Sequence, residues 1–179
     1  MARMPAVVTD LKAFIRDVPD FPKPGIIFKD ITPLLAHGPA LRAVVDRIAD
    51  PYRGKVDMVV GIESRGFIIG SAVAYALGAG LAVVRKPGKL PALTFAAQYA
   101  LEYGNDCLEI HRDAFGHRCR VLIVDDLLAT GGTARAAIEL VERVGGEVVG
   151  CAVVIELAAL RGRDRLHPYP VLSLLRYED

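Results

Sequence analysis

The stretch RVLIVDDLLATGGT, residues 120–133, decides the fold of this chain. Its first four apolar residues, 121–124, include three β-branched side chains, which is typical of a strand buried on both faces of a sheet. Asp125 and Asp126 follow where a parallel strand would leave the sheet, and a small polar run, residues 130–133, precedes a helical pattern. This order predicts a ligand pocket at the carboxyl end of an open α/β sheet.

The small polar run favours a phosphate ligand. Gly131 and Gly132 allow a tight turn whose N–H groups point into one concavity, and the helix start beyond them adds a positive dipole end. Thr130 and Thr133 can add hydroxyl donors, while the preceding carboxylates are good acceptors for sugar hydroxyls. Two glycines before a helix usually form only a turn, but the ordered combination predicts a ribose 5-phosphate site. No Lys follows the glycines and no GxGxxG is present, so the loop is not a Walker loop or a dinucleotide fingerprint.

Composition predicts one globular α/β domain over residues 1–179, since 53% of the chain is apolar. The net charge of +1 gives no electrostatic reason to expect nucleic acid or a membrane surface as a partner. The cysteines, Cys107, Cys119 and Cys151, are odd in number and lack CxxC spacing, which predicts free thiols and a cytoplasmic location. We expect no signal peptide, because charges interrupt the N-terminal apolar residues. Residues 66–84 lack charge, but their glycines favour a buried helix and strand over a membrane span.

Alternating strand-like and helix-like segments predict a mostly parallel, five-stranded central sheet flanked by helices. The predicted strands are residues 56–62, 81–84, 121–124, 148–155 and 171–175. An amphipathic helix is predicted over residues 8–18, from apolar residues at helical spacing. Residues 1–35 are interpreted as a small hood, residues 56–177 as the core, and residues 90–117 as a long loop with hairpin-like arms that acts as a mobile lid.

The segment VLIVDDLLATGGT closely resembles the phosphoribosyl pyrophosphate signature of the type I phosphoribosyltransferases, and the similarity extends over about residues 21–177. The resemblance implies the fold of that family, a homodimer, and Mg²⁺ that arrives with the diphosphate and needs few protein ligands. The four histidines have no metal-binding spacing, so no protein-bound zinc is expected. By resemblance, the ribose 5-phosphate is bound by Asp125, Asp126, Ala129, Thr130, Gly131, Gly132 and Thr133.

Two further loops resemble the family's diphosphate-binding segments. GIESRGF follows a predicted strand, and the resemblance implies a cis peptide between Glu63 and Ser64. RKPGK gathers three cations around a turn, which on spacing alone would favour a solvated surface loop. Arg65 could likewise be an exposed arginine at a helix end. By resemblance, the diphosphate contacts are Glu63, Ser64, Arg65, Arg85, Lys86 and Lys89.

Two more matches point to the adenine-specific members of the family. LEYG lies in the predicted lid, and its Glu102 is implied to act as acid or base at N7 of the purine, although an isolated glutamate is most often a surface residue. PKPGIIFKD resembles the base-recognition segment, although without the resemblance IIF is only a buried strand. Ile27 and Lys29 depart mildly from the family pattern. By resemblance, the adenine contacts are Ile27, Phe28, Arg65 and Leu157.

The first hypothesis is therefore an enzyme of purine salvage that converts adenine and 5-phosphoribosyl 1-diphosphate to AMP and diphosphate. A related transferase acting on hypoxanthine, guanine, xanthine or orotate is the alternative within catalysis. A non-catalytic regulator that senses phosphoribosyl pyrophosphate is a third hypothesis, but the chain has no spare domain or basic excess for a nucleic-acid partner.

Overall fold

The computed structural model describes residues 8–100 and 105–178. In chain order its strands are β1 (Arg16–Pro19), β2 (Ile27–Asp30), β3 (Met58–Ile62), β4 (Gly80–Val84), β5 (Thr94–Ala100), β6 (Asn105–His111), β7 (Arg120–Leu128), β8 (Glu147–Leu157) and β9 (Val171–Tyr177). The α-helices are α1 (Thr32–Ala36), α2 (Gly38–Ala49), α3 (Arg65–Leu77) and α4 (Gly132–Val144). Short 3₁₀ turns cover Lys12–Phe14, Asp50–Tyr52, Ala158–Leu160 and Gly162–Leu166.

The central sheet has five parallel strands in the order β4-β3-β7-β8-β9, which confirms the predicted fold class. From β3 the chain first moves outward to β4, and it later returns on the other side of β3 with β7. The strand order therefore reverses between β3 and β7. Open α/β sheets bind ligands in the crevice at such a reversal, outside the carboxyl ends of the strands.

Strand β7 is longer than predicted. Its pairing with β3 ends at Val124, but its pairing with β8 continues to Leu128. Asp125 and Asp126 therefore lie within the strand and not after it, because the eleven-residue β8 still provides backbone partners there. At the two carboxylates the neighbouring strand β3 has ended while β8 continues, which opens a space on the β3 side.

Two apolar cores cover the two faces of the sheet. Val121 and Ile123 point to the face covered by α4 and the β5–β6 hairpin, whereas Leu122 and Val124 point to the face covered by α2 and α3. All four side chains are at most 1% exposed, which confirms a strand buried on both faces.

The prediction of a helix over residues 8–18 is wrong. Lys12–Phe14 forms one 3₁₀ turn, and Arg16–Pro19 is a strand that pairs antiparallel with β2. Leu11 is still buried in the core, but Val18 precedes Pro19, and a residue before proline disfavours helical dihedrals. Leu11, Phe14 and Ile15 reach the core from the 3₁₀ turn and the residues beside it, so no helix is needed.

The segment predicted as a lid does have hairpin-like arms. Strands β5 and β6 pair antiparallel, and Tyr99 stands opposite Asp106 near the end of the arms. The inner face of the hairpin packs on α4, with Ala97 and Leu108 buried and Arg143 Nη1 donating to the Ala96 carbonyl at 2.5 Å. Residues 101–104, which join the arms, lie outside the described residues.

Residues 66–84, which lack charge, fold as most of α3 followed by β4. Among the helices of residues 8–100 and 105–178, none is long and apolar enough to cross a membrane.

Candidate active site

A cavity of about 410 Å³ opens at the carboxyl ends of β3 and β7, at the reversal of the strand order. It brings together the loop after β3, the end of β7, the glycine turn before α4 and one face of the hairpin. The predicted site residues in its lining are Glu63, Ser64, Arg65, Lys86, Asp125, Asp126, Ala129, Thr130, Gly131, Gly132 and Thr133. Sequence segments up to 90 residues apart, from Glu63 to Val153, thus line one cleft.

The glycine turn has the geometry expected of an anion loop. Gly131 adopts a left-handed conformation with φ of 81° and directly precedes α4, so the first N–H groups of a thirteen-residue helix face the cavity. A Cβ on Gly131 would overlap the carbonyl oxygen of Gly162, and a Cβ on Gly162 would overlap that of Ala129. The turn therefore rests directly on the backbone at Gly162, which the sequence pattern did not reveal.

Asp125 and Asp126 differ in their surroundings. Asp125 Oδ1 accepts a hydrogen bond from the Asp126 backbone N–H at 2.9 Å. Asp125 lies deep in the cleft although part of its surface faces the cavity, and burial together with the charge of Asp126 raises its pKa well above the ordinary value. A cation or hydroxyl donors in the cleft would favour its ionised form.

Asp126 is 4% exposed and faces Arg65. Asp126 Oδ2 lies 2.5 Å from Arg65 Nε, which is close enough for an ion pair. The two groups are not aligned for a hydrogen bond, and this oxygen has no hydrogen-bond partner among the described residues. The attraction between Asp126 and Arg65 is therefore electrostatic, and the oxygen itself is buried.

Arg65 also reaches the base-recognition segment. Its guanidinium carbon lies 4.9 Å from the ring centre of Phe28, at the distance of a cation–π contact, and Phe21 packs edge-on against the same ring. One arginine thus touches both an aromatic ring and the buried Asp126 carboxylate.

Ile27, Phe28 and Leu157 do not line the cavity, so of the four predicted adenine contacts only Arg65 does. The side chain of Ile27 is 56% exposed, as expected for a strand residue beside Phe28 that points to the opposite face. Leu157 ends β8 and packs at the edge of the core under α2 and α3.

The loop after β3 has the cis peptide between Glu63 and Ser64 that the resemblance implies. Glu63 accepts two hydrogen bonds from the Arg85 guanidinium, both at 3.2 Å, and one from the Lys86 backbone N–H at 2.9 Å. These contacts, with Arg85 foremost, lower the pKa of Glu63. Arg85 is therefore engaged by Glu63, and neither it nor Lys89 lines the cavity, whereas Lys86 does.

Sequence reasoning missed a polar cluster of Lys86, Tyr99 and Asp106. Asp106 Oδ2 lies 2.5 Å from Lys86 Nζ and accepts from the Tyr99 hydroxyl at 3.0 Å, while Asp106 Oδ1 accepts from the Cys107 N–H at 2.8 Å. The bond to Asp106 raises the pKa of Lys86, and the Lys86 ammonium lowers that of Asp106. Only the three-dimensional packing of the β5–β6 hairpin places Tyr99 and Asp106 beside Lys86, so no sequence motif indicates the cluster.

Sequence reasoning also missed a buried network beneath the glycine turn. Glu156 is 3% exposed and accepts hydrogen bonds from Arg163 Nε at 3.0 Å and Nη2 at 2.5 Å, and from the Ser173 hydroxyl at 2.6 Å. Arg163 Nη1 also donates to the Val171 carbonyl. Because Arg163 follows Gly162, the network fixes to β8 and β9 the backbone on which the glycine turn rests.

The described residues contain no cluster of three or more His, Cys, Asp or Glu side chains that could hold a metal ion by themselves. The three cysteines are free thiols, and burial raises the pKa of the Cys151 thiol to about 12. The structure places no cysteine in the cavity lining.

Comparisons with known proteins agree with this geometry. A profile described as "Phosphoribosyl transferase domain" matches residues 34–176. The adenine phosphoribosyltransferase of Solibacter usitatus (strain Ellin6076) is 59% identical over 170 residues, which cover 94% of this chain and 98% of the relative. The crystal structure of adenine phosphoribosyltransferase from Rhodothermus marinus is 56% identical with a TM-score of 0.89, covering 93% of this chain and 96% of that one.

A second similar structure was solved with ligands. It is the Saccharomyces cerevisiae adenine phosphoribosyltransferase complexed with an imino-altritol bisphosphate and adenine. It is 41% identical, has a TM-score of 0.88, and covers 92% of this chain and 96% of its own.

Proposed function

Since the chain belongs to the adenine phosphoribosyltransferase family, we propose that it transfers the 5-phosphoribosyl group of phosphoribosyl pyrophosphate to adenine, giving AMP and diphosphate. The observation that carries this function is the position of Arg65, whose guanidinium touches both the Phe28 ring and the buried Asp126 carboxylate. A purine stacked near Phe28 and a ribose held by the carboxylates would meet at this arginine, beside the anion loop.

The cosubstrate would be bound from three sides. The glycine turn and the start of α4 supply N–H donors for the 5-phosphate, and the aspartates accept hydrogen bonds from the ribose hydroxyls. The diphosphate would lie against the loop after β3 and the Lys86 ammonium, both of which line the cavity. The proposed ribose 5-phosphate contacts are Asp125, Asp126, Ala129, Thr130, Gly131, Gly132 and Thr133.

In the reaction, N9 of adenine forms a bond to ribose C1 while the C1–O bond to the diphosphate breaks and the diphosphate keeps the electron pair. Adenine must lose its imidazole-ring proton as it becomes part of AMP, and Glu102 is the proposed acceptor at N7. Glu102 lies outside the described residues, on the segment that joins β5 and β6. We propose that this hairpin acts as the lid and excludes water from the developing positive charge at C1, which Asp125 and Asp126 would stabilise.

Magnesium fits this site as a companion of the diphosphate. Mg²⁺ is usually bound through one or two carboxylates together with substrate phosphates and water, which does not require a cluster of protein ligands. Asp125 and Asp126, which both line the cavity, are the carboxylates that could take part. When bound, the ion would neutralise the charge of the leaving diphosphate.

A homodimer and a cytoplasmic location complete the proposal. The family resemblance supports the dimer, and the three free thiols favour a reducing compartment.

Initial rates with adenine, hypoxanthine and guanine at fixed phosphoribosyl pyrophosphate and Mg²⁺ test the proposed function. We expect adenine to be converted to AMP at least about 100-fold faster than hypoxanthine or guanine is converted to its nucleotide. A site built to hydrogen-bond one purine edge leaves polar groups unpaired when a base with a different edge binds. A preference for hypoxanthine or guanine would assign the chain to another base. Cosubstrate binding without product for any base would indicate a sensor.

A further inference from the structure

Lys86 is the basic side chain of the RKPGK loop that lines the cavity, and in the described structure its charge is already paired. Its ammonium lies 2.5 Å from Asp106 Oδ2, near the end of the arms of the β5–β6 hairpin. Any diphosphate that binds Lys86 must therefore compete with a carboxylate of the protein itself.

The two partners of this ion pair are held differently. Asp106 is fixed by the Tyr99 hydroxyl and the Cys107 N–H, and its side chain is 22% exposed. The Lys86 side chain is 54% exposed and carries its charge on a flexible four-carbon stem. On arrival of a diphosphate, the ammonium can move while the carboxylate stays in place.

We propose that Asp106 is an affinity-setting residue, an internal anion that competes with the diphosphate of the cosubstrate for the Lys86 ammonium. Binding of the diphosphate exchanges one anionic partner of Lys86 for another, while the backbone bonds between Arg85 and Glu109 still hold the hairpin to the RKPGK loop. The inference rests on the proposed function for the identity of the cosubstrate, but the competition concerns any diphosphate in the cleft.

The test is calorimetric titration of the full-length protein with inorganic pyrophosphate and Mg²⁺, and then with phosphoribosyl pyrophosphate and Mg²⁺. Asp106→Asn keeps the size and the acceptor for Tyr99 but removes the competing charge. Because the pair is half-exposed, we expect the Kd for pyrophosphate to fall about 2- to 10-fold. Asp113→Asn is the matched control, since this exposed aspartate lies outside the cavity lining and removes the same charge; its Kd should not change.

A double-mutant cycle separates competition from general electrostatics. In a Lys86→Met background, Asp106→Asn should lose its effect on the Kd for pyrophosphate, because no ammonium remains to be freed. An unchanged or weaker affinity in Asp106→Asn, as a merely structural role would give, overturns the inference. An equal gain in the Lys86→Met background, or in Asp113→Asn, overturns it as well.

Failure of this inference is distinct from failure of the proposed function. AMP formation by the unmodified protein tests the function, whereas the pyrophosphate titration needs no base and no turnover. A protein that makes AMP but shows no tighter binding in Asp106→Asn keeps its function and loses only the internal competitor.

Discussion

Replacing Gly66 with alanine would test whether the site depends on the close approach of α3 to the end of β7. A Cβ at Gly66 would lie 2.9 Å from both the Val124 carbonyl oxygen and Asp125 Oδ1. Ordinary contacts begin near 3.4 Å, so the helix start or the carboxylate must move by about 0.5 Å. Because a misplacement of about 1 Å can cost about 100-fold in rate, we expect kcat/KM for phosphoribosyl pyrophosphate to fall about 10-fold.

The same substitution should also lower the stability of the folded protein. Overpacking costs about 1–3 kcal/mol, and the better helix propensity of alanine offsets about 1 kcal/mol of that. The net loss of about 0–2 kcal/mol corresponds to a decrease in Tm of at most about 8 °C for a chain of this size.

Gly70→Ala is the matched control for this substitution. It places the same methyl group one turn further along α3, where the nearest atom, Gly61 Cα, would be 3.4 Å away. Steady-state kinetics and thermal unfolding of both variants decide the matter, and Gly70→Ala should keep wild-type activity. If Gly66→Ala also retains kcat/KM within twofold of wild type, the close approach does not position Asp125.

Three further perturbations address separate parts of the site. Glu102→Gln should lower kcat about 100- to 10,000-fold through loss of proton transfer, and unchanged turnover would remove Glu102 from the mechanism. Arg65→Lys cannot keep both the Phe28 contact and the Asp126 ion pair, so KM should rise about 10-fold for adenine; a KM within twofold of wild type would contradict the bridging role. Arg163 lowers the pKa of Glu156, so the unfolded chain binds this proton more readily than the folded one. The contribution of Glu156 to the free energy of unfolding should be complete above about pH 5 and decline below about pH 4.3. If the ion pair with Arg163 is the source of this contribution, acid unfolding of Glu156→Gln should not show the decline.

The sheet and the glycine turn were predictable because their signals are local. Residues 121–124 are buried on both faces, and a strand of this kind reads as a continuous apolar run. Gly131 takes the left-handed conformation that a tight turn before a helix favours. The N-terminal segment was mispredicted for the same reason, since apolar spacing outweighed the constraint that Pro19 places on Val18.

The supports of the site were not predictable, because they depend on contacts between distant segments. Asp106 meets Lys86 only when the hairpin packs beside β4, and a lone aspartate after the LEYG motif carries no signal of that contact. Gly162 and Arg163 likewise gain their roles from the way the backbone after β8 returns beneath the glycine turn. The base-recognition residues depended on the family resemblance, since Ile27 and Phe28 alone indicate only a strand.

The cleft joins Glu63, Lys86, Asp126 and Thr133 across the reversal of the strand order, and no two neighbouring segments of the chain can form it alone. An unfolded chain therefore has no binding site. The cosubstrate binds only the folded protein, and this binding stabilises it. At about 100 times its Kd, such a ligand adds about 2.7 kcal/mol to the free energy of unfolding. Supply of the cosubstrate would thus govern how long the enzyme survives as well as how fast it works.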